Sequence, residues 1–356
     1  MGGLLICAAL GVEARAVRRG LPAGAEGVRV VRVGAGLRRA ARAATALPGH
    51  DALVVAGFCG ALGGDLRPGD VLVADEVRLG DRVFPCPSAP LLAGELARAG
   101  LPARTGPLVT CGHVVTGAER RRLARGGAVA VDMETGPLAA AAYGRPLAAV
   151  RVVVDTPRTR LLGVATVRDG FAARRALRRI GPVLARWGAA AGPRRVLLAV
   201  PGAFLAEGER AIGTGAGTPA ETGAETGAET GAEVGAGTRA TTGRGEAVRV
   251  LADEADLVLV VGPADSSVFS TSPVSRRPGG ETGHATAVRF VGAPGDLALG
   301  RLAAARTIGL TALSPVSSPL VDAVVAALRG LGPVTVEERR VGREAVRFPF
   351  PGEVTS

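Results

Sequence analysis

An α/β fold follows from three features of this 356-residue chain. Short apolar, β-branched runs recur along it, and segments rich in Ala and Arg, which are good helix formers, stand between them. Several of the runs stop at a glycine or a carboxylate. That pattern puts such residues at the carboxyl ends of buried strands, where open α/β sheets take their ligands.

In chain order, residues 3–12 read as the first strand and Glu13 to Arg19 as the start of a helix. Val28 to Val33 is a second strand. It ends in Gly34-Ala35-Gly36, ahead of a helix from Leu37 to Ala46. This glycine turn is either a seat for an anion on backbone N–H groups or a plain tight turn. Ala52 to Ala56 is a buried strand that runs into Gly57-Phe58-Cys59-Gly60-Ala61-Leu62, and glycine there permits close approach of a ligand. Arg67-Pro68-Gly69-Asp70 is a turn, followed by a strand from Val71 to Ala74. Further on, Ala130-Val131-Asp132-Met133-Glu134 sets an acid in an apolar context, and Arg151-Val152-Val153-Val154-Asp155 is a buried strand that delivers a second. Taken alone, Asp155 before Thr156-Pro157 also suits a helix N-cap, and Glu134 a first-turn helix acid. Arg174 to Trp187 is a basic amphipathic helix closing the first domain, and Gly192-Pro193-Arg194-Arg195 is a linker.

The formal net charge of +11 raises nucleic acid or an anionic surface as a partner. Composition argues otherwise. The chain has no Lys, Asn or Gln, so all 43 basic residues are Arg, as a G+C-rich coding bias would give, and they are scattered. Aromatic residues make up 3%, too few for base-stacking platforms. The cysteines Cys7, Cys59, Cys86 and Cys111 form no CxxC pair and read as small buried hydrophobes of a reducing compartment, without zinc. Leu4 to Val12 lacks a basic flank and meets Glu13 at once, so it reads as a core strand and not a signal peptide. No apolar run reaches bilayer length. A cytoplasmic protein without nucleic-acid or integral membrane contact is expected.

Five motifs in order across about residues 3–190 resemble the nucleoside phosphorylase / methylthioadenosine nucleosidase superfamily, closest to its hopanoid-associated phosphorylase-like branch. They are Gly11-Val12-Glu13-Ala14; Ala52 to Leu62; Leu66-Arg67-Pro68-Gly69-Asp70 through Glu76; Val131-Asp132-Met133-Glu134; and Arg151 to Asp155. The resemblance implies a three-layer αβα domain that cleaves the N-glycosidic bond of a purine nucleoside, with phosphate or water as nucleophile. Such chemistry needs an acid to protonate the departing purine, a carboxylate to hold the ribose hydroxyls, and a group to position the nucleophile. By resemblance these are Asp155, Glu134 with Met133 beneath the sugar, and Glu13. Gly57 and the pair Val114–Val115 would bind substrate. Phosphate is a possible co-substrate, and a homo-oligomer assembled through the N-terminal domain is expected. Two positions depart from the pattern. Phe58 stands where relatives carry a small hydroxyl residue, and His113 where they usually carry an acid. A phenyl ring there would exclude phosphate or mark a different substrate. His113 is either catalytic or a packed, hydrogen-bonded residue.

A second resemblance begins at residue 194. Val196 to Ile212 is similar to the opening of 4-hydroxy-3-methylbut-2-enyl diphosphate reductase, with Leu205 where that family has the first cysteine ligand of an iron–sulfur cluster. Residues 213–245 repeat Thr-Gly-Ala-Glu and are too polar and Gly-rich to bury a core; they are expected to be a disordered linker where the family has its middle third. The likeness resumes with Glu254 to Gly262, Thr307 to Ala312, a helix from Leu320 to Leu331, and Arg347-Phe348-Pro349-Phe350-Pro351. By resemblance Ser266, Ser267 and Ser317 would bind diphosphate, although Ser317 before Ser318-Pro319 is equally a helix N-cap. Residues 112–356 contain no cysteine, so no cluster is expected.

The expected organisation is a phosphorylase-like domain over 1–192, a reductase-like strand, loop and helix start over 193–212, a linker over 213–245, and a smaller α/β reductase-like remnant over 246–356. The expected function is purine nucleoside cleavage linked to isoprenoid or hopanoid metabolism. The alternatives are a reductase-related protein by ancestry, or a pseudoenzyme that binds a nucleoside without cleaving it.

Overall fold

The computed structural model describes residues 3–157, 164–201, 247–262, 286–312 and 318–341. The chain is α/β and divides into two compact units. The first comprises Met1–Arg195, Val291–Arg306 and Pro319–Thr335; the second comprises Val196–Phe290, Thr307–Ser318 and Val336–Ser356.

The first unit is built on β1 (Leu4–Ala8), whose five residues are all buried, as a central parallel strand requires. It pairs in parallel with β2 (Val28–Arg32) on one side and β3 (Ala52–Ala61) on the other. The first strand is shorter than residues 3–12 suggest. Helix α1 (Gly11–Gly20) begins directly after it and takes Glu13 into its first turn. Strand β3 is longer than the apolar run Ala52–Ala56, because Gly57 to Ala61 continue it. From β3 the sheet closes on itself. Strand β3 pairs with β8 (Leu147–Asp155), β8 with β4 (Val71–Leu79), β4 with β6 (Ala103–Thr110), β6 with β7 (Ala130–Asp132), and β7 returns to β3. Five strands thus form a ring, with β1, β2 and β5 (Arg82–Pro85) outside it. The carboxyl ends of β3 and β8 and the short β7 meet at one side of the ring.

Helices α2 (Leu37–Ala44), α3 (Ala89–Arg98), α4 (Gly117–Arg125), α5 (Thr135–Ala140) and α6 (Val164–Ala190) belong to this unit, as do the helix Leu299–Ala304 and all but the first residue of the helix Ser318–Arg329. Helix α3 starts at a proline-bearing first turn and ends at Gly100, whose φ of +71° gives the left-handed stop that suits glycine. Trp187 of α6 is fully buried, and its Nε1 donates to Ser88 Oγ at 3.1 Å. The later segment is tied in by Arg98, whose Nη1 and Nη2 donate to the carbonyls of Gly295 and Leu297 at 2.8 Å each.

The second unit is centred on a five-stranded sheet in the order β11 (Ala287–Val291), β10 (Leu257–Val261), β12 (Thr307–Ala312), β9 (Arg194–Pro201), β13 (Val334–Val341). Strand β10 is buried throughout and pairs in parallel with β12. Leu197, Ala199, Leu251, Val258 and Val260 form its core with the helical stretch 247–254. Among the described residues no helix is long and apolar enough to cross a membrane.

Candidate active site

A cleft opens where β3, β7 and β8 end. Glu13, Phe58, Cys59, Gly60, His113, Val114, Val115, Arg120, Asp132, Met133, Glu134 and Asp155 all line it, with Ala9, Leu10 and Ala35 at the β1 side. Glu13, Glu134 and Asp155 lie far apart in sequence, yet each reaches this one space.

Glu13 is 2% exposed. Because it sits in the first turn of α1, its side chain reaches back, and Oε2 accepts the Leu10 N–H at 2.7 Å. Its Oε1 accepts the Phe58 N–H at 2.8 Å. Burial pushes the Glu13 carboxyl above its ordinary value, and the nearby Glu134 charge adds to that. Arg151 and the two N–H bonds oppose the shift without cancelling it.

Glu134 caps α5, and its Oε1 accepts the Gly36 N–H at 2.7 Å. This revises the expectation for the glycine turn. Gly34 and Gly36 do take left-handed backbone, with φ of +88° and +91°. Their N–H groups are committed within the protein, however: Gly34 donates to the Ala9 carbonyl at 3.1 Å and Gly36 to Glu134. The anion at this turn is the protein's own side chain, held ready in the cleft.

Asp155 ends β8. The β3–β8 register runs evenly from Leu53↔Leu147 to Cys59↔Val153 and then shifts, so that Gly60 faces Asp155. A bulge of this kind re-aims the side chain that follows it, here into the cleft. Asp155 Oδ2 accepts a hydrogen bond from Arg120 Nη2 of α4.

Beneath the carboxylates lies a pair that sequence reading did not single out. Arg151 is fully buried in the middle of β8 and donates through Nη2 to Asp132 Oδ2. Thr135 and Thr110 complete the network. Thr110 Oγ1 donates to Asp132 Oδ1 at 2.7 Å, the Thr135 N–H donates to Oδ2 at 3.1 Å, and Arg151 Nε donates to Thr135 Oγ1 at 3.2 Å. Burial works against the Arg151 cation, but Asp132 first, then Glu13 and Glu134, hold its pKa above the ordinary arginine value. Its Nη1 is buried without a hydrogen-bond partner.

Gly57, expected to bind substrate, is buried beside the cleft and is not among its lining residues. A Cβ at this position would lie 2.5 Å from Arg151 Nη1 and 2.7 Å from Glu13 Oε1, so its hydrogen is what lets those two groups approach. Val115 is buried in the wall and Val114 is 61% exposed at the rim. Met133 is half-buried in the lining beside Glu134. His113 is exposed, and its Nε2 pairs with Glu119 Oε2 at 2.8 Å. The thiols of Cys7, Cys59 and Cys86 are each pushed up to about 12 by burial, so Cys59 brings no thiolate to the cleft at neutral pH. Leu205, Ser266, Ser267 and Ser317 lie outside the described residues.

Two curated relatives are 4-hydroxy-3-methylbut-2-enyl diphosphate reductases. That of Mycobacterium bovis is 35% identical over 116 residues, 32% of this chain and 33% of the relative. That of Burkholderia pseudomallei is 37% identical over 116 residues, 33% of this chain and 36% of the relative. The chain therefore spans about a third of the length of the curated relatives it matches. Similar solved structures include the futalosine hydrolase of Helicobacter pylori, at 15% identity over 51% of this chain and 97% of that one, with a TM-score of 0.45. The 5′-methylthioadenosine/S-adenosylhomocysteine nucleosidase of the same organism is at 16% identity over 51% and 97%, with a TM-score of 0.44. The defining pattern of the Phosphorylase superfamily matches residues 15–186, and the N-terminal part of this chain is similar to that superfamily.

Proposed function

We propose that the cleft cleaves the N-glycosidic bond of a purine nucleoside, with phosphate or water as nucleophile. The observation that carries this reading is the convergence of Glu13, Glu134 and Asp155 on one cleft above the buried Arg151–Asp132 pair. In the reaction the C1′–N9 bond breaks and its electron pair leaves with the purine, while positive charge develops on the sugar. Arg120 occupies Asp155 Oδ2, so Oδ1 is the oxygen that delivers a proton to N7 and lets the purine leave neutral. Glu134, fixed by the Gly36 N–H, holds the ribose hydroxyls and stabilises the cationic sugar, with Met133 beneath it. Glu13, fixed by two N–H groups, orients the nucleophile; when that is water, Glu13 takes its proton as oxygen bonds to C1′. The 5′ substituent is apolar, which suits Leu10 and Val114, 40% and 61% exposed at the rim, and links the reaction to isoprenoid or hopanoid metabolism.

The test is release of free base by the purified full chain from purine nucleosides with and without apolar 5′ groups, in the presence and absence of phosphate. Asp155→Asn is expected to slow release by about 10²- to 10⁴-fold, because an amide cannot donate the carboxyl proton. Unchanged release would remove Asp155 from the mechanism. A second reading, a nucleoside binder without turnover, is favoured by Phe58 in the lining. Binding of nucleoside by the wild-type protein with no base released would select it.

The iron–sulfur cluster of the reductase family finds no fitting residues here. All four cysteines lie between positions 7 and 111, and Cys7, Cys59 and Cys86 are buried with thiols held neutral. Leu205, at the first ligand position by resemblance, offers no lone pair. Anaerobic reconstitution with iron and sulfide is expected to give no stoichiometric cluster by visible absorption and iron assay.

A further inference from the structure

Arginines are scattered along the chain as a whole, yet the fold gathers eight of them at one edge of the first sheet. Residues 11–46 hold eight arginines and two glutamates, so this short stretch supplies six of the chain's net +11 charges. Helix α1 carries Arg15, Arg18 and Arg19, which their spacing of three and four puts on one face. Strand β2, the edge strand against which α1 packs, carries Arg29 and Arg32. Helix α2 follows with Arg38, Arg39 and Arg42, again on one face. All eight are exposed, and among the described residues none meets a carboxylate. Three of them donate to backbone carbonyls instead: Arg18 Nη2 to Val30 at 2.7 Å, Arg39 Nη1 to Ala35 at 3.2 Å, and Arg29 Nη2 to Gly49. Of the two glutamates, Glu13 is buried in the cleft, and Glu26 stands in the loop before β2, at the end away from the cleft.

This basic edge borders the mouth of the cleft. Leu10, just before α1, and Ala35, just after β2, both line the cleft. Arg32 ends β2 and lies against Gly11, where a Cβ would be 3.9 Å from its Cδ and Nη1. Leu37 opens α2 and lies against Gly112, where a Cβ would be 3.4 Å from its Cδ2. Leu10 and Val114, 40% and 61% exposed, thus stand as bare aliphatic side chains beside guanidinium groups that meet no carboxylate. A nucleic acid would be held by the arginines alone and gains nothing from two aliphatic side chains. A bilayer with anionic headgroups uses both: its phosphates meet the guanidinium groups, and Leu10 and Val114 enter the boundary with the acyl chains.

We propose that the edge formed by α1, β2 and α2 is a docking surface for an anionic lipid bilayer, with the mouth of the cleft turned to the headgroups. Charge on an edge strand also guards against pairing with another strand. That role needs only Arg29 and Arg32 and leaves the six helix arginines without a use. The attraction is electrostatic and reversible, at about a factor of five for each arginine close to the surface. Docking needs no substrate, so it stands or falls separately from nucleoside cleavage.

The experiment is sedimentation of the purified full chain with vesicles of phosphatidylcholine, alone or mixed with phosphatidylglycerol, at low and high salt. Binding to the mixed vesicles is expected, weaker by at least about tenfold on the neutral ones and released by high salt. Arg32→Gln, Arg38→Gln and Arg42→Gln combined should weaken it by about 100-fold. The matched triple Arg67→Gln, Arg104→Gln and Arg145→Gln, at exposed arginines outside this edge, should change it by less than about threefold. Val114→Ser should weaken it by about tenfold, because a polar side chain gains nothing at the acyl boundary. No binding to the mixed vesicles, equal binding to neutral ones, equal losses in the two triples, or no loss in Val114→Ser would overturn the proposal. So would tighter binding of a duplex DNA oligomer than of the mixed vesicles at the same phosphate concentration. Thermal melting checks that each variant is folded. Should the edge triple not fold, its three single variants decide, each expected to lose about fivefold, and no loss in any of them overturns the proposal.

Discussion

Two aspartate–arginine pairs, Asp132–Arg151 and Asp155–Arg120, lie between positions 120 and 155 and do different work. Asp132 and Arg151 are each 1% exposed at the side chain, and every oxygen of Asp132 is engaged by Thr110, Thr135 or Arg151. Asp155 and Arg120 are 14% and 10% exposed at the side chain and face the cleft. The carboxyl group of the first pair is spent inside the protein, although Asp132 belongs to the lining of the cleft. The second lines a space a ligand can enter, and one Asp155 oxygen is held by Arg120. The difference teaches that an ion pair near a site is not by itself a functional group. What decides is whether its remaining hydrogen-bonding capacity is spent inside the protein. The first pair anchors β7, β8 and α5 beneath Glu13 and Glu134; the second is available to chemistry.

Arg151→Met leaves Asp132 as an uncompensated buried charge, which costs about 3–5 kcal/mol of stability. Arg120→Met leaves Asp155 at the cleft lining, where its side chain is 14% exposed, and a smaller loss is expected. Urea unfolding of both variants measures the two losses. Equal losses would mean that the pairs share one structural role.

A smaller effect tests the glycines that admit each pair. In Gly57→Ala the new methyl would sit 2.5 Å from Arg151 Nη1 and 2.7 Å from Glu13 Oε1, both held by their partners. Overpacking of this kind costs about 1–3 kcal/mol. In Gly60→Ala the methyl would press on Arg120 Nη2 and Asp155 Oδ2, which can give way toward the cleft. Melting of Gly57→Ala well below Gly60→Ala, with Gly60→Ala losing base release instead, is the expected pattern. The reverse ranking would contradict the assignment of floor and mouth.

Much of this was open to sequence reading, for reasons that differ by residue. Glu13, Glu134 and Asp155 sit in motif contexts that point to one family, and buried runs such as Leu4–Ala8 and Leu257–Val261 follow from continuous apolar residues. Arg151 gave a signal that could have been used further: a cation inside a β-branched strand must have a buried partner, and Asp132 lies in an apolar run of its own. Arg120 gave none. It is one of four charged residues in Glu119-Arg120-Arg121-Arg122, and only the rotation of α4 decides which one turns inward. The end of β1 was misplaced because Ala9 and Leu10 prolong the apolar run while the chain already turns into α1. Closure of the sheet into a ring depends on the antiparallel β4–β8 and β3–β7 pairings, which bring together segments far apart in the chain.

The Arg151–Asp132 pair also acts on the carboxylates above it. Burial raises the Glu13 carboxyl above the ordinary 4.5, and Arg151 only partly offsets that. A group that holds its proton more tightly folded than unfolded lends stability that is fully present below its unfolded value. That stability is lost as pH rises through its raised folded value. Glu13 should therefore make the protein lose stability as pH climbs from 4.5 upward through that value, and Glu13→Gln should flatten this part of the curve. If ionised Glu13 orients the nucleophile, base release should follow the same titration in the opposite sense. It should fall on the acid side at a pH above the usual carboxylate range and recover as Glu13 ionises. Thermal melting against pH and the pH profile of kcat/KM measure the two curves. Coincident midpoints, both removed by Glu13→Gln, are expected. An acid limb at the ordinary carboxylate position that persists in Glu13→Gln would assign the titration to another group and leave Glu13 a structural cap of α1.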